Sequence, residues 1–185
     1  MKKSLFILIV LSTLSLSLSQ TPPPVRDTDG NIVRSGTNYY ILPVVNDKGG
    51  GVTLAPRKDD PCPYDVAQEN NRQRNKLPMN FVPALTFKED MIRESTDLNI
   101  RFAGVGKCIA TLVWRFEYGK DGIRYVSSHG MLGSPGRDTL QNWFKIEKFE
   151  NDYKIGYCPS VAKNYRPYCS DIGSKIAKNG RRTLV

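Results

Sequence analysis

The stretch Leu98-Asn99-Ile100-Arg101-Phe102 alternates apolar and polar side chains with a period of two, which is typical of a β-strand with one buried face. Two other segments resemble it, one around Tyr40 and one around Ile155. A turn that contains Gly or Pro follows each of the three segments. If Tyr40, Ile100 and Ile155 are equivalent, the segments lie 60 and 55 residues apart. A nearly constant period of this size predicts a threefold internal repeat.

Strand patterns also dominate the rest of the chain. Residues 143–149 and 153–157 flank Asn151-Asp152 and form the clearest hairpin pattern, and Asp121-Gly122 marks a second hairpin turn. Beyond the first twenty residues, no stretch shows a sustained helical stripe. We therefore predict an all-β fold, and three repeats of about four short strands each give a β-trefoil, which is a closed barrel with a hairpin cap. In that packing we expect Trp114 and Trp143 to lie in the core.

The first nineteen residues have the pattern of a secretory signal peptide. Lys2 and Lys3 precede an apolar run at residues 5–18, and small side chains at Ser17 and Ser19 place cleavage before Gln20. The apolar run is shorter than the ~20 residues that a membrane span needs. We expect residues 1–19 to be removed and residues 20–185 to form a single exported domain with no membrane segment.

Four cysteines in an exported chain are expected to pair, and four cysteines allow three connectivities. Ten residues separate Cys158 from Cys169, which favours a local clip and leaves Cys62 to pair with Cys108. A metal site is not expected, because the sequence has no Cys-x-x-Cys motif and no histidine near any cysteine.

The composition excludes several classes of function. The chain has 27 basic and 18 acidic residues, and its formal net charge of +9 falls to +7 without Lys2 and Lys3. The basic residues are scattered, so we expect no nucleic-acid partner. His129 is the only histidine, and we assign it to a surface turn. With no paired catalytic carboxylates and no phosphate-binding loop, we expect neither enzymatic activity nor a cofactor.

Several motifs in register carry a resemblance to a known family. The motifs are residues 25–41, 49–54, 62–63, 92–100, 142–147, 157–159, 171–173 and 180–182. They resemble the plant Kunitz-type protease inhibitors of the soybean trypsin inhibitor kind, in the miraculin-like branch. The resemblance covers residues 25–184 and implies a β-trefoil with the same two disulfides, a role in plant defence, and a monomer in the apoplast or vacuole.

The resemblance also implies an inhibitory loop. Such inhibitors block a serine-type endopeptidase with a convex loop that enters the protease cleft like a substrate. Counting from Cys62 without a gap places the key residue at Thr86, flanked by Leu85, Phe87 and Lys88. Leu85 and Phe87 suit the apolar pocket of a chymotrypsin- or subtilisin-like protease, whereas Lys88 suits an acidic pocket. The alternative is a non-inhibitory trefoil in which this segment only connects two strands and the protein serves in storage, stress or carbohydrate binding. A carbohydrate site would need exposed aromatic rings beside Asp, Asn or Gln.

Two departures from the family pattern bear on the structure. Ser35 stands where the inhibitors have an asparagine that supports the loop, and a hydroxyl makes fewer hydrogen bonds than an amide. The family continues past the segment that matches residues 181–184 into a last barrel strand, whereas the given sequence stops at Val185. Either the sequence is truncated or the third repeat is incomplete, and in both cases we expect the closing strand to be absent and residues 38–42 to form an unpaired edge.

Overall fold

The structure is a computed structural model that describes residues 21–45, 49–56, 62, 64–71, 76–85, 90–104, 112–119, 122–177 and 180–185. The predicted signal peptide lies outside the described residues. Within these ranges, no helix is long and apolar enough to cross a membrane.

The described residues form short strands and one 3₁₀ helix, η1. In chain order the strands are β1 (Val52–Ala55), β2 (Asp65–Gln68), β3 (Met79–Pro83), β4 (Leu98–Phe102), β5 (Arg115–Tyr118), β6 (Arg124–Ser127), β7 (Lys145–Phe149), β8 (Asp152–Tyr157), β9 (Ser170–Asp171), β10 (Ser174–Ile176) and β11 (Arg182–Leu184). The helix η1 spans Arg137–Asn142, where the sequence predicts no element.

Three hairpins, β1–β2, β5–β6 and β10–β11, combine into one six-stranded sheet. Strand β2 is the centre of this sheet, because it pairs with β11 at Gln68 and with β6 at Asp65. The sheet is the hairpin cap that the sequence predicts, one hairpin coming from each third of the chain. The remaining hairpins, β3–β4 and β7–β8, carry the barrel.

The threefold repeat is visible in the backbone. In each third, one isoleucine carbonyl accepts a hydrogen bond from the segment that follows it: Ile41 O from Val52 N at 3.0 Å, Ile100 O from Trp114 N at 2.8 Å, and Ile155 O from Ile172 N at 2.8 Å. The all-β trefoil prediction is confirmed. The sequence alignment is one residue off in the first third, since the equivalent of Ile100 and Ile155 is Ile41 rather than Tyr40.

Two residues before each isoleucine, the barrel strands meet a second partner. Tyr39 exchanges two backbone hydrogen bonds with Met79, at 2.9 and 2.8 Å, and Leu98 exchanges two with Phe144, both at 2.9 Å. The corresponding residue of the last third is Tyr153, which pairs with Lys148 of β7. On the other side of Tyr153, no described strand pairs with it.

The prediction that residues 38–42 form an open edge is wrong for one side of this segment and holds for the other side. Residues 38–42 are not unpaired, because Tyr39 is bound to Met79 and the Ile41 carbonyl to Val52. Their opposite edge faces a groove of about 470 Å³ that Tyr153 also lines. Tyr40, at 50% exposure, and Leu42, at 48%, lie at this groove. Strand β11 lies in the cap sheet and leaves this groove open.

Aromatic side chains fill the core. Trp114, Phe102 and Phe144 are almost fully buried, and the ring of Trp114 packs edge-on against that of Phe144 at 5.7 Å. Trp143 is also buried, and its indole N–H donates to Thr139 Oγ1 at 3.1 Å. Both tryptophans therefore pack in the interior.

Asn99 is buried completely, although the alternating pattern of its strand places it on the polar face. Its side-chain Nδ2 donates to the Asn142 carbonyl at 2.8 Å, and its Oδ1 accepts from the Gly133 amide at 2.7 Å. The buried amide ties β4 to both ends of the segment that contains η1.

Replacing Asn99 tests this tie. Asn99→Ala leaves the carbonyl of the buried Asn142 and the N–H of the half-buried Gly133 without partners, so we expect the free energy of unfolding to fall by about 3 kcal/mol. Urea denaturation measures this change. Asn151→Ala, at an exposed hairpin turn, is the control and should change stability by less than ~0.5 kcal/mol. Equal stability of both variants would show that the hydrogen bonds of the Asn99 amide do not contribute to the free energy of unfolding.

Filling the groove tests the open edge. We expect that a linker and a strand of alternating Val and Thr, fused after Val185, will raise Tm by several degrees. The added strand would pair with free backbone groups and cover Tyr40 and Leu42, and each kcal/mol gained raises Tm by roughly 2–4 °C in a protein of this size. An extension with Pro at alternate positions cannot pair and serves as the control. If both extensions leave Tm unchanged, the groove does not accept a strand.

Candidate functional site

The loop that follows β3 is anchored where it leaves the barrel. Pro83, the last residue of β3, pairs with Leu98, and the next amide, Ala84 N–H, donates to the Asp97 carbonyl at 2.8 Å. Leu85 then turns outward, with 67% of its surface exposed. The outgoing side of the loop is therefore fixed to the start of β4.

The returning side of the loop is anchored to a different part of the chain. The Ser35 amide donates to the Asp90 carbonyl at 2.6 Å, and the Ile92 amide donates to Val33 at 2.9 Å. An isolated bridge pairs Met91 with Arg34 between these contacts. Residues 85–89 thus connect two anchored positions in the chain, Ala84 and Asp90. Three of the predicted site residues, Thr86, Phe87 and Lys88, lie outside the described residues.

Ser35 meets the loop base through its backbone rather than its side chain. Its hydroxyl makes no hydrogen bond to any described residue, whereas the sequence analysis places loop support in that side chain. The turn that holds Ser35 needs Gly36, whose φ of 79° is in the left-handed region. Asn80 Nδ2 fixes the turn to β3 by donating to the Thr37 carbonyl at 2.9 Å and to Asn38 Oδ1 at 2.6 Å. Sequence reasoning missed Asn80.

Asp97 connects the loop base to a neighbouring segment. Its carboxylate, 8% exposed, accepts hydrogen bonds from the Ser160 amide at 3.0 Å and from the Ser160 hydroxyl at 2.5 Å. Lys145 Nζ lies 3.9 Å from the other carboxylate oxygen and donates to the Ser160 hydroxyl at 3.3 Å. Asp97 therefore holds the loop through its carbonyl and Ser160 through its side chain. Sequence reasoning missed this residue, although it lies within a motif of the family pattern.

Ser160 belongs to a segment that a disulfide closes. Cys158 and Cys169 are bonded to each other, which is one of the two expected pairs. Cys62 is also disulfide-bonded, and its expected partner Cys108 lies outside the described residues. Among the described residues, no group of three or more His, Cys, Asp and Glu side chains could hold a metal ion.

One cluster has the residue types of a hydrolase triad. Ser127 Oγ lies 3.0 Å from His129 Nδ1, and His129 Nε2 lies 3.5 Å from a Glu117 carboxylate oxygen. Ser127 is completely buried on β6, so no substrate carbonyl can reach its hydroxyl. The cluster is therefore structural, and the exposed His129 side chain is held at the surface by Ser127 and Glu117.

Comparison with known proteins places the chain in context. A family model described as "Trypsin and protease inhibitor" matches residues 25–185. Miraculin from Synsepalum dulcificum is 40% identical over 173 residues, which is 89% of this chain and 78% of miraculin.

Two solved structures have the same fold. A Kunitz-type cysteine protease inhibitor from potato superposes with a TM-score of 0.76 at 32% identity, over 89% of this chain and 91% of that one. A bifunctional α-amylase/subtilisin inhibitor from Oryza sativa gives a TM-score of 0.71 at 34% identity, with the same two coverages.

Replacing Asp97 tests how the loop base is held. Asp97→Ala removes the acceptor of the Ser160 amide and hydroxyl, so we expect the free energy of unfolding to fall by about 2 kcal/mol. We also expect faster cleavage of residues 85–89 in limited proteolysis, followed by mass spectrometry. Asp29→Ala, on the exposed N-terminal turn, is the control. Unchanged cleavage of the loop in the Asp97 variant would show that Asp97 does not restrain it.

Proposed function

The chain belongs to the Kunitz family of trypsin and protease inhibitors, and we propose that it blocks a serine-type endopeptidase with the loop at residues 85–89. The family acts by inhibition rather than catalysis, and the buried Ser127 fits that role. We further propose that the protein is exported to the apoplast or vacuole, acts as a monomer and serves in plant defence.

The observation that carries the proposal is the double anchoring of the loop. Ala84 is bound to Asp97 on one side, and Asp90 is bound to Ser35 on the other, while Leu85 faces solvent. A loop whose ends are already fixed loses little conformational entropy when a protease binds it, so more of the contact energy appears as affinity. Such a loop also holds a cleaved bond in place and slows release.

The loop sequence favours an apolar specificity pocket. Leu85 presents an exposed apolar side chain, and the family pattern, counted from Cys62 without a gap, predicts Thr86 at the key position with Phe87 next to it. A trypsin-like pocket is acidic and needs Lys or Arg at the key position. We therefore propose a chymotrypsin- or subtilisin-like target, with Lys88 as the residue that would favour trypsin if the register were shifted.

The second candidate function is a non-inhibitory, miraculin-like role in storage or stress. It is favoured by the Ser35 hydroxyl, which supplies no hydrogen bond to the loop among the described residues. It also draws support from the identity of 40% to miraculin.

A protease panel separates the two candidates. We expect refolded residues 20–185 to inhibit chymotrypsin or subtilisin at a one-to-one ratio and to leave trypsin and a papain-like protease active. Residual activity at increasing inhibitor concentration gives the ratio. A protein that leaves all four proteases fully active would favour the non-inhibitory role.

Changing the key residue tests the register of the loop. Thr86→Arg should raise affinity for trypsin, because a matched buried ion pair can shift binding by ~2–5 kcal/mol. The inhibition constant against trypsin measures the gain. Thr28→Arg adds the same charge on an exposed turn and should have no effect. Equal trypsin affinity of the two variants would show that Thr86 does not fill the specificity pocket.

A further inference from the structure

A second surface feature lies away from the inhibitory loop. A cleft of about 360 Å³ opens between the β5–β6 hairpin and the disulfide-closed segment 158–169. Three tyrosines line it and are exposed: Tyr118 by 68%, Tyr165 by 46% and Tyr168 by 55%. We call this the tyrosine cleft. Aromatic rings gain much from burial, so three exposed rings around one cleft indicate a platform that a ligand covers.

A stacked arginine lies in the tyrosine cleft. The Arg124 guanidinium carbon is 3.6 Å from the centre of the Tyr168 ring and 4.3 Å from that of Tyr118. It also donates a hydrogen bond to the Tyr118 hydroxyl. Stacking fixes the plane of the guanidinium and leaves available the in-plane N–H groups that do not donate to Tyr118. Among the described residues, no carboxylate accepts from Arg124.

The charges of the tyrosine cleft favour an anion. Glu117 is the only acidic residue among the described residues that line it. That carboxylate already lies 3.7 Å from Arg115 Nε and 3.5 Å from His129 Nε2. Arg124 is therefore a preorganised cation that suits a planar carboxylate, which is the anion that a guanidinium binds through two parallel hydrogen bonds.

Neutral polar groups complete the lining. The Gln141 amide and the hydroxyls of Tyr165 and Tyr168 make no hydrogen bonds to the described residues, so they can serve a ligand that carries several hydroxyls. The floor is apolar, because Phe116 and Tyr157 are buried with ring centres 4.5 Å apart. Burial also raises the pKa of Tyr157, and its phenol is uncharged at neutral pH with or without that shift.

We propose that the tyrosine cleft binds an acidic oligosaccharide. Arg124 takes the carboxylate of a uronic acid unit, the exposed tyrosine rings pack against the sugar ring, and Gln141 bonds sugar hydroxyls. An exposed ring beside a free amide is the arrangement that the sequence analysis requires of a carbohydrate site. The disulfide between Cys158 and Cys169 holds Tyr165 and Tyr168 in place.

The test is calorimetric titration of the oxidised protein with trigalacturonic acid at low salt. We expect saturable binding at one site, and maltotriose, a neutral trisaccharide, should bind at least about tenfold more weakly because it lacks the carboxylate. Arg124→Gln and Tyr168→Ala should each weaken trigalacturonate binding by about tenfold or more. Lys175→Gln, which removes the same charge from an exposed position on β10 outside the cleft, should not. Circular dichroism and protease inhibition show that each variant is folded.

Three results would overturn the proposal. Equal affinity for maltotriose would show that the carboxylate is not recognised, and an unchanged affinity in Arg124→Gln would place any binding elsewhere. An equal loss in Lys175→Gln would reduce the effect to net charge. Because inhibition is measured separately on the same variants, failure of the saccharide site leaves the inhibitory loop untouched, and the reverse also holds.

Discussion

The fold depends on one hydrogen bond made three times. In each third of the chain, the carbonyl of an isoleucine, Ile41, Ile100 or Ile155, accepts an amide from the segment that leads into the cap. The bond fixes where a barrel strand ends and a cap strand begins, so it sets both the repeat and its register. The other strands then pair within the barrel hairpins and the cap sheet. The outgoing end of the inhibitory loop, at Ala84 and Leu85, follows directly from this arrangement, because β3 is paired with β4 up to Pro83.

Much of the fold could be predicted because period and alternation survive in the sequence. The strand class, the threefold repeat and both hairpins at residues 115–127 and 145–157 follow from local patterns. The burial of Asn99 could not be predicted, since alternation alone places a polar residue outward. Its amide is satisfied by Gly133 and Asn142, which are distant in sequence. The prediction that Tyr40 is the equivalent of Ile100 was one residue off for the same reason. Tyr39 and Tyr40 look alike in the sequence, and only the hydrogen bond between Ile41 and Val52 fixes the register.

The family pattern predicts where the candidate loop lies in the sequence, but it could not predict how the ends of the loop are held. The family pattern places the loop and names Ser35 as its support. In the structure, the Ser35 backbone and the Asp97 carbonyl hold the loop ends. Backbone contacts leave little trace in residue identity, which is why Asp97 and Asn80 were missed. The segment closed by Cys158 and Cys169 contributes to both the loop base and the tyrosine cleft. Ser160 binds Asp97 at the loop base, and Tyr165 and Tyr168 line the tyrosine cleft.

The central claim is that the doubly anchored loop at residues 85–89 is the part a protease contacts. The most direct test of this claim is to identify the peptide bond that chymotrypsin or subtilisin cleaves in the stoichiometric complex. Mass spectrometry after acid quenching and reduction locates this bond. The account predicts a single cut between residues 84 and 90, with the two fragments still associated before reduction. A cut elsewhere in a stoichiometric complex, with residues 84–90 intact, would contradict it.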